Sequence, residues 1–591
     1  MRIERTLMAV VATGLIVLTL TLATLAVTAL TGWWAITIVL GVVVVATVAF
    51  RALRRRIPKG TVIEIDLDGG VIETMGSDPL SRAMTMRSVT VRDVVDALER
   101  GAADPRVTGV VARLGNGRIR LGHAQELRDA VHRFRDSGKK AIAFAEAFGE
   151  SRSATVDFYL ATAFGEIFLQ PKGLASVEGI VARGTFVRGV FDKLHLVPDF
   201  DHRKEYKAAK YALTETGFNE AHREALGGVA EDQFSQIVSG IAQDRGLSQE
   251  TVESLIDSAP LTTGETLESG LVDHVGYRDD AYEAAGDRFM FHDRYLKKAG
   301  RPHRKGERIA LIYGAGSIAR GTPRFDPLTR GSSFGADEVA KAFRLASDDD
   351  KVKAVVFRVD SPGGSAVASE VASREVARAR EKGKPVVVSM GNVAGSGGYW
   401  VSAGADRIVA QPGTVTGSIG VVWGKLANRE AWRRLGVTFD EIVFGQNATF
   451  NTAQDEFSDA ERARVTVLLD DIYNNFVAGV AEGRSMTPQQ VEEVAKGRIW
   501  TGSQARERGL VDELGGLETA VRLAKDLVGI APEEGIRLVT FPRERALPLP
   551  RREESSEPVD GALRALVDMA TGIRQTTAGA HARMPWLGLV D

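Results

Sequence analysis

The strongest constraint on this chain is that much of it is written twice. "VTGVVARL" (Val107–Leu114) returns as "VKAVVFRV" (Val352–Val359), and "DSGKKAIAFAE" (Asp136–Glu146) as "EKGKPVVVSMG" (Glu381–Gly391). "ESGLVDHVG" (Glu268–Gly276) returns as "ERGLVDELG" (Glu507–Gly515). The spacing, roughly 240 residues, is the size of a domain. Each copy runs strand, amphipathic helix, strand, which predicts α/β units around a core sheet. The reading divides the body into a first repeat at 61–290, a basic linker at 291–308 and a second repeat at 309–541. Residues 542–591 begin "PRERALPLPRREESSEPVD" and read as a disordered tail, with a weakly amphipathic stretch behind it.

The N-terminus is of another kind. No charged residue occurs from Thr6 to Phe50. As one helix that run would span on the order of 65 Å, about twice a hydrocarbon core, so residues 1–60 read as a two-helix membrane hairpin broken near Thr31–Gly32. Arg2 and Arg5 precede it, and Arg51, Arg54, Arg55, Arg56 and Lys59 follow it. That distribution puts both ends, and the body, on the cytoplasmic face. Elsewhere charge is balanced, 75 Lys+Arg against 77 Asp+Glu, which gives no basic field for nucleic acid. The chain has no cysteine, which excludes thiol catalysis and cysteine-ligated zinc.

The two copies differ where chemistry needs open backbone. In the second, "AVVFRV" ends in "DSPGGSA" (Asp360–Ala366); the first has "GNGRIRL" (Gly115–Leu121) there. In the second, "PVVVSM" leads to "VAGSGGYWVS" (Val393–Ser402); the first has "FGESRSATVDFY" (Phe148–Tyr159), with Thr155 opposite Ser396 if Phe158 aligns with Tyr399. Glycine permits approaches that any Cβ would obstruct. A serine on a sharp strand-to-helix turn exposes its hydroxyl. Paired glycines after a neighbouring strand present N–H groups to an oxyanion, worth about 3 kcal/mol per donor. Together they point to acyl transfer at Ser396.

A nucleophilic serine needs a base. No histidine lies between Arg304 and Ala580, and His581 sits in the polar tail, so a Ser-His-Asp triad within the second repeat is excluded. Lysine is the other base for serine, once burial makes it neutral. "RKEYKAAKYALTE" (Arg203–Glu215) of the first repeat offers Lys204, Lys207 and Lys210, and Lys425 is a rival in the serine's own repeat. Composition does not rank them.

The motifs "RVDSPGGSAVASE", "GSGGYWVSAGADRIVAQPGTVTGSIGV", "EYKAA" and "WTGSQARERGLVD" resemble the signal peptide peptidase A (protease IV) family in its long, duplicated form, over about Val62–Leu527. The resemblance implies tandem Clp protease/crotonase-like ββα superhelix domains in an α/β fold with an N-terminal transmembrane segment. It also implies a membrane-bound Ser-Lys peptidase that degrades signal-peptide remnants, forms homo-oligomers, and needs no metal or other cofactor. Matched motif by motif, the nucleophile falls on Ser396 and the base on Lys207, in "YKAA" where the family has Tyr-Lys-Ser-Ala. The lysine's serine partner falls on Ser418 in "TGSIG", and the oxyanion loop on Gly363, Gly364 and Gly397. Long family members carry one anchor with the body outside the cytoplasm, in contrast to the charge pattern here. The expected partners are peptide substrates and membrane lipid, at the cell membrane. The competing readings are a crotonase-like acyl-CoA enzyme and a membrane scaffold that binds peptides without cutting them.

Overall fold

The apolar runs that end in the glycine loops are unbroken by polar alternation, as strands covered on both faces must be. Strand Val386–Gly395 is buried at every position, and Val352–Ser361 at nearly every one. These elements come from a computed structural model that describes residues 19–21, 23–24, 41–43, 56–75, 85–116, 118–323, 325–326, 331–542, 579–583 and 587–588. Gly60–Leu296 and Gly300–Asp591 belong to one compact unit, so both repeats share a body.

The duplication is visible in the topology. In the first repeat the strands lie in the order Arg288–Phe291, Thr61–Asp66, Val107–Arg113, Lys140–Ala145, Glu166–Leu169, His274–Val275, all parallel. The second has the same order, with Ile536–Phe541, Glu307–Ala315, Val352–Ser361, Val386–Gly395, Arg407–Ala410 and Glu513–Leu514. It adds Val415–Gly417, paired alongside the C-terminal end of Val386–Gly395, and Ile499–Thr501 on its other side. Side chains alternate between two cores. Val355, Phe357, Val386 and Val388 face helices Ala336–Ser347 and Ala366–Glu381, while Leu311, Val356, Val387 and Val409 face helix Leu517–Leu527. Each repeat also has a 26-residue helix, Glu220–Arg245 and Asp459–Arg484, capped by Asn219 and by Ser458 with Glu461.

The repeats are joined through a strand pair, polar contacts and an apolar cluster in which Ala225, Leu226 and Val229 meet Val393, Val415 and Ile499. Strand Val197–His202 of the first repeat runs antiparallel to Val422–Ala427 of the second, from Val197 opposite Ala427 to His202 opposite Val422. Deeper in, the guanidinium of Arg358 donates to Glu73, Glu126 and Ser389 with all four side chains buried.

Two expectations need revision. Residues 291–308 are not a loose linker. Helix His292–Ala299 buries Tyr295 and Leu296, Tyr295 Oη donates to Asp104 Oδ2 at 3.0 Å, and His303 reaches Glu518 at 3.2 Å. Apolar anchors at helical spacing outweigh the basic composition there. The tail is not wholly without structure: Gly579–Arg583 and Leu587–Gly588 are strands paired with the body. The membrane hairpin expected in residues 1–60 lies almost entirely outside the described residues, and among those described no helix is long and apolar enough to cross a membrane.

Candidate active site

Ser396 stands where strand Val386–Gly395 turns into helix Gly397–Ala403, with φ 54° and ψ −116°. A side chain rarely adopts such a backbone, at a cost of about 1–3 kcal/mol. Two bonds hold it: Ser396 N–H donates to Gly417 O at 2.7 Å, and Trp400 N–H donates to Ser396 O at 2.9 Å. Helix Thr155–Ala161 occupies the same place in the first repeat, but there the residue before the helix is Ala154, with a negative φ of −120°. The hydroxyl of Thr155 accepts from Gly179 N–H at 3.1 Å and lies 3.0 Å from Ser153 Oγ, a local structural use.

The glycines around Ser396 are required by contact. A methyl on Gly397 would lie 2.6 Å from Ser369 Oγ and 3.2 Å from Gly364 N; on Gly398, 2.6 Å from Ser361 O; on Gly364, 2.1 Å from Ile318 O. Gly363 (φ 98°) and Gly364 (φ 159°) also have backbone angles that disfavour other residues. The Gly363 N–H is engaged at 3.2 Å by Ser361 Oγ within the same loop.

The structure brings Lys207 to the serine from 189 residues earlier. Strand pairing of Val197–His202 with Val422–Ala427 delivers the chain to the second repeat, and Arg203 N–H continues it by donating to Val421 O at 3.0 Å. Tyr206 N–H then donates to Lys496 O at 3.1 Å, and the lysine side chain enters the protein. Its Nζ lies 2.7 Å from Ser396 Oγ, 2.9 Å from Ser418 O and 3.0 Å from Ser418 Oγ. Lys207, Ser396 and Ser418 are each 0% exposed. Among the described residues no carboxylate pairs with Lys207, and burial alone drives its pKa well below the ordinary lysine value. A neutral amine has two N–H donors and one lone pair. Two acceptors on Ser418 and one hydroxyl on Ser396 match that inventory.

The other lysines are elsewhere. Lys204 is ion-paired with Glu492 at 2.6 Å. Lys210 lies over the Tyr211 ring, and Lys425 over Phe457 at 4.3 Å. Tyr399 is core, its hydroxyl donating to Leu510 O, and Trp400 stacks on Phe476.

Two residues that the sequence reading missed shape the lysine's slot. Gly497 (φ 82°) passes so close that a methyl would lie 2.4 Å from Lys207 N, and one on Gly420 would lie 3.1 Å from Lys207 Cδ. Gly497 N–H donates to Ile419 O at 2.7 Å, and Ser418 N–H to Arg498 O at 2.7 Å, so loop 496–498 clasps loop 417–420. The signal was the glycine in "AKGRIW", inconspicuous without its distant partner. His581 was dismissed as a tail residue, yet its strand places it opposite Ser365 and Val422.

A serine hydroxyl bonded to a buried, unpaired amine beside glycine-built loops is the constellation of hydrolases that activate serine without histidine. A family model described as Peptidase family S49 matches residues 133–289 and 378–531. The chloroplastic serine protease SPPA of Arabidopsis thaliana is 30% identical over 90% of this chain and 78% of its own length. Protease 4 of Salmonella typhi is 32% identical over 74% of this chain and 71% of its own. Among solved structures, the 1510-N membrane-bound stomatin-specific protease with a substrate peptide covers 40% of this chain and 92% of its own, at 14% identity and a TM-score of 0.25. The chain belongs to peptidase family S49, in the duplicated form of SPPA and protease 4. It is a serine protease acting on peptides, and the acyl-CoA and scaffold readings find no support in these relatives.

Proposed function

We propose that Ser396 is the nucleophile, Lys207 its base and Ser418 the residue that orients the base. The observation that carries this reading is the 2.7 Å approach of a fully buried amine, with no carboxylate among the described residues to hold it charged, to the hydroxyl of a serine in a strained backbone conformation. Ser396 Oγ gives its proton to Lys207 Nζ and attacks the peptide carbonyl. Backbone N–H groups of Gly364 and Gly397 stabilise the oxyanion, joined by that of Gly363 once it leaves Ser361 Oγ. The protonated lysine then donates to the leaving amine, and water, deprotonated by the same lysine, releases the acyl group. No step calls for a metal or another cofactor.

The substrates are cleaved signal peptides or similarly apolar peptides; one relative of 38% identity, from Enterococcus faecium, is named a putative signal peptide peptidase SppA. The repeats at 61–290 and 309–541 are tandem Clp protease/crotonase-like superhelix domains, a reading supported by their shared strand order. Residues 1–60 anchor the chain in the cell membrane, where such peptides accumulate, and the enzyme works as a homo-oligomer. The test is labelling by a serine-directed phosphonate read by mass spectrometry. Wild type is modified at Ser396, and Lys207→Ala, folded by circular dichroism, is not. Equal labelling of the two proteins overturns the assignment of the base.

A further inference from the structure

The strand that ends at the serine is irregular in one place. Val359 of strand Val352–Ser361 lies opposite Met390, and the next pair is Ser361 opposite Ala394. Asp360 alone therefore spans what Gly391, Asn392 and Val393 span on the serine's strand. The matching strands of the first repeat run in even register, from Gly109 opposite Lys140 to Arg113 opposite Phe144. When "VTGVVARL" is aligned with "VKAVVFRV", the place of Asp360 is taken by Gly115. A bulge bends its strand and re-aims the residues that follow, which is why bulges recur beside active sites. Here Ser396 follows one side of the bulge, and the Gly363–Gly364 loop follows the other.

Each residue of the bulge is gripped. Val393 N–H donates to Asp360 Oδ1 at 2.9 Å. Gly391 is wedged so tightly that a methyl would lie 2.7 Å from Glu73 Oε1 and 2.9 Å from Asp360 Cβ. Asn392 Oδ1 accepts from His123 N–H at 2.9 Å, and the Val393 side chain packs with Ala225, Leu226 and Val229. Glu73, His123 and that apolar helix face all belong to the first repeat. A carboxylate oxygen of Glu73, one of Asp360 and a ring nitrogen of His123 lie within 4.8 Å of one another. The cation of this cluster is Arg358, two residues before Asp360 on the same strand face, with Nη2 2.5 Å from Glu73 Oε1. Asp360 O also accepts from Gly316 N–H at 2.9 Å, which fixes the backbone just before the glycine loop.

We propose that Asp360 is a positioning residue for the reaction: it holds the bulge of the serine's strand against the root of the glycine loop, with the first repeat as the opposing face. The proposal rests on the Ser396 assignment above. Ser396 lies three residues beyond Val393 and Gly363 three beyond Asp360, so the Asp360–Val393 bond sets how far the nucleophile stands from the oxyanion donors. Burial pushes the Asp360 carboxyl up, so the role asks for its oxygen as an acceptor and not for its charge. The first repeat thus supplies more than a lysine: it clamps the strand that aims the serine.

The experiment compares Asp360→Ala, Asp360→Asn and Asn392→Ala in the full chain, using an internally quenched apolar peptide and a serine-directed phosphonate. In Asp360→Ala, kcat is expected to fall about 10²-fold with KM little changed, as for a nucleophile displaced by about 1 Å. The phosphonate still labels Ser396 to completion, at a rate lowered by a similar factor. Asp360→Asn keeps an oxygen for Val393 N–H and retains most of kcat. Asn392→Ala frees the bulge from His123 and lowers kcat about tenfold with the same split, which carries the test should Asp360→Ala fail to fold. A purely structural role lowers the fraction of protein labelled and leaves the surviving sites at the wild-type rate; that result overturns the proposal. So does an Asp360→Asn protein as slow as Asp360→Ala. Ser396→Ala in the otherwise unaltered chain separates the two readings: residual hydrolysis there condemns the nucleophile assignment, whatever Asp360 does.

Discussion

Replacing Lys207 by methionine should abolish hydrolysis and, at neutral pH, make the protein more stable. An unfolded lysine titrates near 10.4, and each unit by which burial lowers that value costs the native state about 1.4 kcal/mol at neutral pH or below. Against that, Nζ bonds Ser396 Oγ and both oxygens of Ser418 in a site with no exposure. Leaving those groups unpartnered costs about 1–3 kcal/mol. Methionine fills nearly the same slot, so Lys207→Met should be the more stable protein at neutral pH wherever the desolvation cost exceeds that loss. The pKa of Lys207 is lowered, so between its folded value and about 10.4 the unfolded chain binds the extra proton, and native stability rises with pH. The penalty fades as the pH approaches about 10.4, so the advantage of the methionine variant should shrink as the pH rises and then reverse. Denaturant midpoints of wild type and variant across pH 6–10 measure this directly. A stability difference that does not change with pH means the amine is charged in the folded protein, and the proton-transfer scheme fails. Peptide turnover by the variant should fall by about 10⁴-fold or more, since the base and the activation of the nucleophile go together.

In wild type, kcat/KM should rise with pH through the lowered pKa of Lys207 and then level off, because the neutral amine is the active form; a rate that falls over that range would contradict it. Ser418→Ala keeps the carbonyl acceptor and loses the hydroxyl, so kcat should drop about 10–100-fold with KM little changed, checked by steady-state kinetics. Gly497→Ala places a methyl 2.4 Å from Lys207 N at a φ of 82°, and phosphonate labelling of Ser396 should slow by about 10²-fold while Ser396 itself is untouched. Arg358→Leu leaves Glu73 and Glu126 buried without their cation and should cost about 3–5 kcal/mol of stability in denaturant titration.

Much of this protein is legible in one dimension because a duplication supplies its own comparison. The repeated strands mark the two sheets, and the contrast between "DSPGGSA" and "GNGRIRL" marks which copy kept open backbone. The histidine-free stretch from Lys305 to Gly579 removes the usual base. These are local properties, carried by residues adjacent in the chain. The choice among lysines is not local. Lys204, Lys207 and Lys210 share one short segment, yet the first is ion-paired, the second buried and the third set over an aromatic ring, according to what distant strands bring against them. The amine of Lys207 suits the proposed role of base only because Ser418, Gly420 and Gly497, more than two hundred residues away, surround it without offering a charge. The tail is the same case in the backbone: "GAHAR" has no strand pattern of its own, and it becomes one because two edges from the body supply its hydrogen bonds. Sequence determined which groups exist and which loops stay open. Tertiary structure alone decided their protonation and pairing, because desolvation and strand edges are set by neighbours in space.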